Sequence, residues 1–199
     1  MSSVAAIVLA AGESTRMGTP KALLGWHGLP LVAYQARELA RVDAVGEVIV
    51  VTGHEPDAVS GAVRAIPKTR TAQNARYRAG KVSSILTGLD AVSRGAAAVL
   101  LLAVDQPRPA AVHAHLIGEY ERAAAPIAIP VHAGRRGHPV LFAASLLPEL
   151  RRIDEETLGI RAVLERHADE VLPVPFDDPI VLVDLNTPAD VADADDARA

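Results

Sequence analysis

Val4-Ala5-Ala6-Ile7-Val8-Leu9, followed by Ala10-Ala11-Gly12, is a short apolar run that stops at a glycine. An unbroken apolar run without alternation is the pattern of a strand buried on both faces. The pattern returns at Val48-Ile49-Val50-Val51, which ends at Gly53, and at Ala98 to Val104, which breaks at Asp105-Gln106-Pro107. Helical spacing separates these runs. It covers Leu31 to Ala40, with Pro30 at a first-turn position, then Pro56 to Ala65 and Val82 to Val92, where Ile85, Leu86 and Leu89 share a stripe. Arg70 to Gln73 reads as a short strand and Asn74 to Lys81 as a loop. Beyond Asp105, Pro109 to Arg122 and Leu158 to His167 read as helices. Ile127 to Val131, Pro139 to Phe142, Val171 to Val174 and Ile180 to Val183 read as strands, the first two joined by the turn-rich His132 to Gly137. Thr187-Pro188-Ala189-Asp190 supplies an N-cap, a first-turn proline and a capping-box acid for a last helix. Strands alternating with helices predict an α/β fold with a mostly parallel sheet covered on both faces. Ligands are expected beyond the carboxyl ends of the strands.

A chain of 199 residues can bury one good core and is short for two, so a single domain over 1–199 is expected, with the Ala/Asp-rich end, 190–199, fraying. Half of the residues are apolar, which sets the chain apart from disordered sequences; with aromatics at 3%, packing must rest on small and branched aliphatic side chains. A formal net charge of −4 argues against a general nucleic-acid-binding surface. The absence of cysteine excludes disulfides, thiolate metal sites and thiol nucleophiles. The run from Val4 to Ala11 is too short to span a bilayer and has no basic residue before it, so no membrane association and a cytoplasmic location are expected. Only Lys21, Lys68 and Lys81 are lysines, and only Asn74 and Asn186 are asparagines. A chain biased so strongly towards Ala, Arg, Gly and Pro tends to keep these residues where their chemistry is needed.

The stretch Leu9-Ala10-Ala11-Gly12-Glu13-Ser14-Thr15-Arg16-Met17-Gly18-Thr19-Pro20-Lys21 follows the first strand. Its small residues let the main chain approach a ligand, its N–H groups can cradle phosphate oxygens, and Arg16 and Lys21 can counter a triphosphate. A plain strand-to-helix connection with surface charges is the other reading of these residues. The stretch is neither a Walker A loop nor a dinucleotide fingerprint. It resembles the L-A-[AG]-G-x-S-x-R-M-G-x-x-K signature of the MobA-like nucleotidyltransferases, and most of all their molybdenum cofactor cytidylyltransferase branch. The resemblance implies a three-layer Rossmann-like nucleotidyltransferase fold with a mostly parallel, mixed central sheet. It also implies that Arg16 and Lys21 hold the triphosphate, as catalytic residues with Asp105, while Leu9, Ala10, Ala11 and Gly12 lie against the base and ribose. In the guanylyltransferase branch the position of Ala11 is usually glycine; the alanine methyl leaves less room and suits cytosine.

Asp105 at a strand end can bind Mg²⁺, a hard cation that prefers oxygen ligands, or it can cap the following helix. Asp105-Gln106-Pro107 resembles the family's metal site. Asp184-Leu185-Asn186-Thr187-Pro188-Ala189-Asp190 resembles its late acidic motif, in which Asp184 and Asn186, two apart on an extended segment, point the same way and either can complete the metal site. The segment from Asn74 to Ile85 resembles the family's base-recognition segment, with Asn74, Gly80 and Ser83 as nucleotide-binding residues; a serine-capped loop is the alternative. Gly137-His138-Pro139-Val140 resembles the turn near the acceptor, which gives Arg135, His138 and Arg161 as acceptor-binding residues. In place of the branch's G-D-x-G-[AI]-R, this chain has Glu156-Thr157-Leu158-Gly159-Ile160-Arg161, a departure that leaves the acceptor open.

The implied reaction is transfer of CMP from CTP to a phosphorylated acceptor, molybdopterin cofactor, with Mg²⁺ as cofactor and a molybdoenzyme as partner. Guanylyl transfer, or another nucleotidyl transfer, is the nearest alternative. A maturation chaperone without turnover is a second. An oxidoreductase is a third, although no nicotinamide or flavin motif is present.

Overall fold

The computed structural model describes residues 3–13, 20–156, 159–187 and 190. Arg16, the start of the helix expected at Leu158, and the tail beyond Asp190 lie outside the described residues. In chain order the first half contains β1 (Val4–Ala10), β2 (Gly25–Trp26), β3 (Leu29–Pro30), α1 (Leu31–Ala40), β4 (Val45–Thr52), α2 (Pro56–Val63), β5 (Thr69–Gln73) and α3 (Lys81–Ala91). The second half contains β6 (Ala98–Ala103), α4 (Ala110–Ala123), β7 (Ile127–His132), β8 (Arg135–Arg136), β9 (Val140–Ala143), α5 (Leu147–Leu150), α6 (Ile160–Arg166) and β10 (Val171–Pro175).

β1 is the middle of the sheet, parallel to β4 on one side and β6 on the other. The full order is β10-β7-β9-β6-β1-β4-β5, with β8 paired to β7. β9 lies between β6 and β7 and runs antiparallel to both, which makes a mostly parallel sheet mixed. Every residue of β1 is buried, because the strand alternates between two cores. Val4, Ala6, Val8 and Ala10 meet Leu31, Leu39, Val59 and Leu116 from α1, α2 and α4. Ala5, Ile7 and Leu9 meet Val82, Ile85, Leu150 and Val163 from α3, α5 and α6. The result is a three-layer, Rossmann-like α/β arrangement. The period of two is hidden in the sequence because both faces are apolar.

Gly88 explains how α3 lies so close to β1: a Cβ there would stand 2.6 Å from Ile7 Cγ2. Trp26, in the hairpin of β2 and β3, is almost fully buried and meets the Tyr34 ring of α1 edge-on.

One expected strand is not formed. Pro179–Leu182 is a short 3-10 helix, so the strand expected at Ile180 to Val183 is corrected. The Asp178 side chain accepts the Ile180 N–H at 2.8 Å, and Pro179 pre-sets the first turn. Ile180 and Val181 then bury against Val112 of α4. Their β-branched, apolar character served a helix contact instead of a ladder. No described helix is long and apolar enough to cross a membrane.

Candidate active site

The parallel strands β4, β1 and β6 end at one edge, and a cavity of about 560 Å³ opens there. Leu9 to Gly12 enter its wall from the end of β1, Ala103 to Gln106 from the end of β6, and Lys21 from the 3-10 turn Lys21–Leu23. Tyr77, Gly80, Lys81 and Ser84 reach it from the start of α3 and the turn before it, and Asp184 and Asn186 from the late segment. Parallel pairing of β1 and β6 therefore places the glycine-containing loop beside Asp105.

Lys21 Nζ lies 2.8 Å from Asp105 Oδ2 and 3.1 Å from Asn186 Oδ1. Leu185 donates its N–H to the Asp105 carbonyl at 2.8 Å, and its side chain is buried, which turns Asp184 and Asn186 out to the cavity on either side of it. Asp190 Oδ2 accepts the N–H groups of Asn186 and Thr187, each at 2.7 Å, and Thr187 Oγ1 accepts the Asp190 N–H at 3.2 Å. This reciprocal pair is the capping box expected from the sequence. These N–H bonds, that from Asn186 foremost, lower the proton affinity of Asp190.

Asp105, Asp184 and Asn186 offer two carboxylates and an amide oxygen to one space, and the Lys21 ammonium already rests on two of these side chains. That donor set is hard oxygen and fits Mg²⁺, which takes one or two carboxylates and completes its shell with phosphate and water. Among the described residues there is no cluster of three or more His, Cys, Asp or Glu of the kind a protein-only metal cage would need.

Buried polar side chains hold the Asp105 strand end. Gln35 of α1, fully buried, donates its Nε2 to the carbonyls of Ala103 at 3.0 Å and Val104 at 2.7 Å. Gln106 Oε1 accepts the Ala103 N–H at 3.0 Å, and Glu38 Oε2 accepts the Ala110 N–H at 2.9 Å. Arg108, also fully buried, donates to the carbonyls of Pro107 (2.9 Å), His138 (3.0 Å) and Val181 (2.9 Å). One guanidinium thus ties three loops at the same end of the sheet. Motif reading missed these residues because their partners are main-chain atoms, most of them distant in sequence.

A second cavity of about 550 Å³ adjoins the first, and Leu9, Lys81, Ala103 and Gln106 line both. Its wall is largely apolar, from Val82, Ile85, Leu101, Val140, Ile160 and Leu164, with His138, Glu155 and Arg161 as further polar groups. Burial, chiefly, pushes the proton affinity of His138 down; Asp184 opposes this and Arg108 adds to it. Glu155 Oε1 accepts the Val82 N–H at 2.6 Å.

Of the residues expected to bind nucleotide, Leu9, Ala10, Ala11, Gly12, Lys21 and Gly80 line the first cavity. Asn74 and Ser83 do not. The Asn74 amide is buried and occupied: Nδ2 donates to Ser83 Oγ at 2.9 Å and Ser84 Oγ at 3.0 Å, and Oδ1 accepts the Arg76 N–H at 2.9 Å. They shape the loop, and Ser84 faces the cavity instead. Of the expected acceptor residues, His138 and Arg161 line the second cavity, whereas Arg135 is exposed on β8 and lines neither. Tyr77, Lys81, Ser84 and Gln106 are cavity residues that sequence reasoning did not select. The scarcity of lysine was the one signal for Lys81.

Residues 6–171 match the MobA-like NTP transferase domain. A molybdenum cofactor guanylyltransferase from Rhodobacter capsulatus is 33% identical over 97% of this chain and 95% of its own length. Nicotine blue oxidoreductase from Paenarthrobacter nicotinovorans is 32% identical over 82% of each chain. Among solved structures, Rv0371c from Mycobacterium tuberculosis H37Rv superposes with a TM-score of 0.79 at 25% identity, covering 98% of both chains.

Proposed function

We propose that this chain, which belongs to the MobA-like NTP transferase family, transfers CMP from CTP to molybdopterin cofactor and releases pyrophosphate. Nucleotidyl transfer is the chemistry of the family; the nucleotide, the metal and the acceptor are our reading. A single observation carries it: Lys21, Asp105, Asp184 and Asn186 converge on the cavity that the end of β1 lines.

An oxygen of the acceptor phosphate attacks the α-phosphorus, the bond from that phosphorus to the β-phosphate oxygen breaks, and pyrophosphate leaves. A phosphate monoester has its second pKa at about 6, so it is mostly dianionic near neutrality and needs no general base. What remains is positioning and charge neutralisation. The main chain of Ala10 to Gly12 forms the wall against the nucleotide, and Lys21, with Arg16 in the same signature, neutralises phosphate oxygens. Asp105, Asp184 and Asn186 would hold Mg²⁺, which when bound supplies positive charge to the phosphates and orients them. The second cavity receives the acceptor, with its apolar wall against the ring system and His138 and Arg161 as polar contacts.

Ala11 lines the cavity, and the resemblance puts glycine at this position in the guanylyltransferase branch, which favours cytosine here. Guanylyl transfer is the second reading, favoured by the name of the Rhodobacter relative. Pyrophosphate release measured with molybdopterin cofactor, Mg²⁺ and either CTP or GTP separates the two. CTP is expected to be used at least tenfold faster. Preference for GTP overturns the cytosine assignment, and no release with any nucleoside triphosphate overturns the transfer itself.

A further inference from the structure

Lys81 opens α3 and stands where the two cavities meet. Among the residues lining both, Leu9 and Ala103 are apolar, and Gln106 has its amide oxygen engaged by the Ala103 N–H. Lys81 is the one that carries a charge. Its side chain is exposed and makes no hydrogen bond or ion pair with a described residue. Lys21, by contrast, is engaged by Asp105 and Asn186. The positive field of Lys81 also reaches His138 in the second cavity.

Two anions must approach each other at this junction, a nucleotide phosphate from one side and a phosphate monoester from the other. Their mutual repulsion is largest in the transition state, when an O–P bond forms and charge accumulates on the transferred phosphoryl group. We propose that Lys81 is a catalytic residue whose ammonium bridges the α-phosphoryl group and the acceptor phosphate. It neutralises charge as the acceptor O–Pα bond forms and the Pα–O bond to pyrophosphate breaks, and it transfers no proton. The inference rests on the nucleotidyl-transfer reading above.

Lys81 is a surface side chain, so Lys81→Gln and Lys81→Arg are expected to fold as the parent does. The test is pyrophosphate release with molybdopterin cofactor, Mg²⁺ and the preferred triphosphate, with the Kd of that triphosphate measured by calorimetry in parallel. The Gln variant should lose at least tenfold in kcat while triphosphate Kd changes less than threefold, and the Arg variant should recover to within about threefold of the parent. A kcat within twofold of the parent for Lys81→Gln overturns the proposal. So does an equal loss in kcat and in triphosphate affinity, which would make Lys81 an anchor for the nucleotide alone. Failure of Lys81→Arg to recover any of the loss also counts against it. Absence of release by the parent protein is a different failure: it removes the transfer reading, and this inference with it.

Discussion

On α4, His113 is fully buried beside Arg108. Burial, with the Arg108 charge second, pushes its pKa down to about 3. The unfolded chain binds this proton near pH 6.5, whereas the folded one does not until about pH 3. His113 therefore costs no stability above about pH 6.5, and below it stability falls by up to about 1.4 kcal/mol per pH unit. His138, lowered by burial, acts in the same direction. His167 acts in the opposite one: Glu170 and then Glu149 raise its proton affinity, so its contribution is present at low pH and fades as pH rises. Replacement of His113 by Leu should reduce the stability lost between pH 7.5 and pH 5.0 by about 2 kcal/mol, read from urea unfolding. An unchanged loss would mean that this imidazole is not the group that titrates. The site residues divide at the same scale. Lys21, Asp105, Asp184 and Asn186 were legible because each falls in a stretch that resembles a family motif, and Asp105 also ends an apolar run. Ser84 and Lys81 reach the cavity because α3 is laid across β1, and Tyr77 reaches it from the turn before α3.

That crossing is a property of the element, and Gly88 permits it. Ile7 is buried in the central strand and cannot swing its Cγ2 methyl away from an added side chain. Gly88→Val gains a little helix propensity but forces α3 from the sheet, and overpacking of this kind costs about 1–3 kcal/mol. A lower urea midpoint with an unchanged m-value is expected; a midpoint equal to the parent's would show that α3 can shift without loss. The sequence also conveyed β1, β4 and β6 well, since short apolar runs ended by Gly or Asp are the pattern of buried strands. Ile180 to Val183 misled for the same reason. Its composition is that of a strand, and only the Asp178 cap, Pro179 and the Val112 contact show that it coils. The insertion of β9 between β6 and β7 has no signature in periodicity, because strand neighbours are chosen by tertiary packing.

At the scale of the molecule, the first cavity is assembled from pieces far apart in the chain: Lys21 meets an acid 84 residues away and an amide 165 residues away. No unfolded chain holds those groups together, so a ligand that bridges them binds the folded state alone and stabilises it by mass action. At a hundredfold excess over Kd the gain is about 2.7 kcal/mol. A chain of this size moves its Tm by about 2–4 °C per kcal/mol, so a triphosphate with Mg²⁺ should raise Tm by roughly 5–10 °C. If the acids hold the metal and the metal holds the phosphates, chelation with EDTA or the change Asp105→Asn should remove most of that shift. A shift of equal size without metal would assign the affinity to Lys21 and the backbone and leave Asp105 to its ion pair with Lys21. CMP, which lacks the β- and γ-phosphates, should give the smaller part of the effect in either case. A CMP shift as large as that of CTP would mean that the cavity reads the base and sugar, with no grip on the polyphosphate that the transfer must expel.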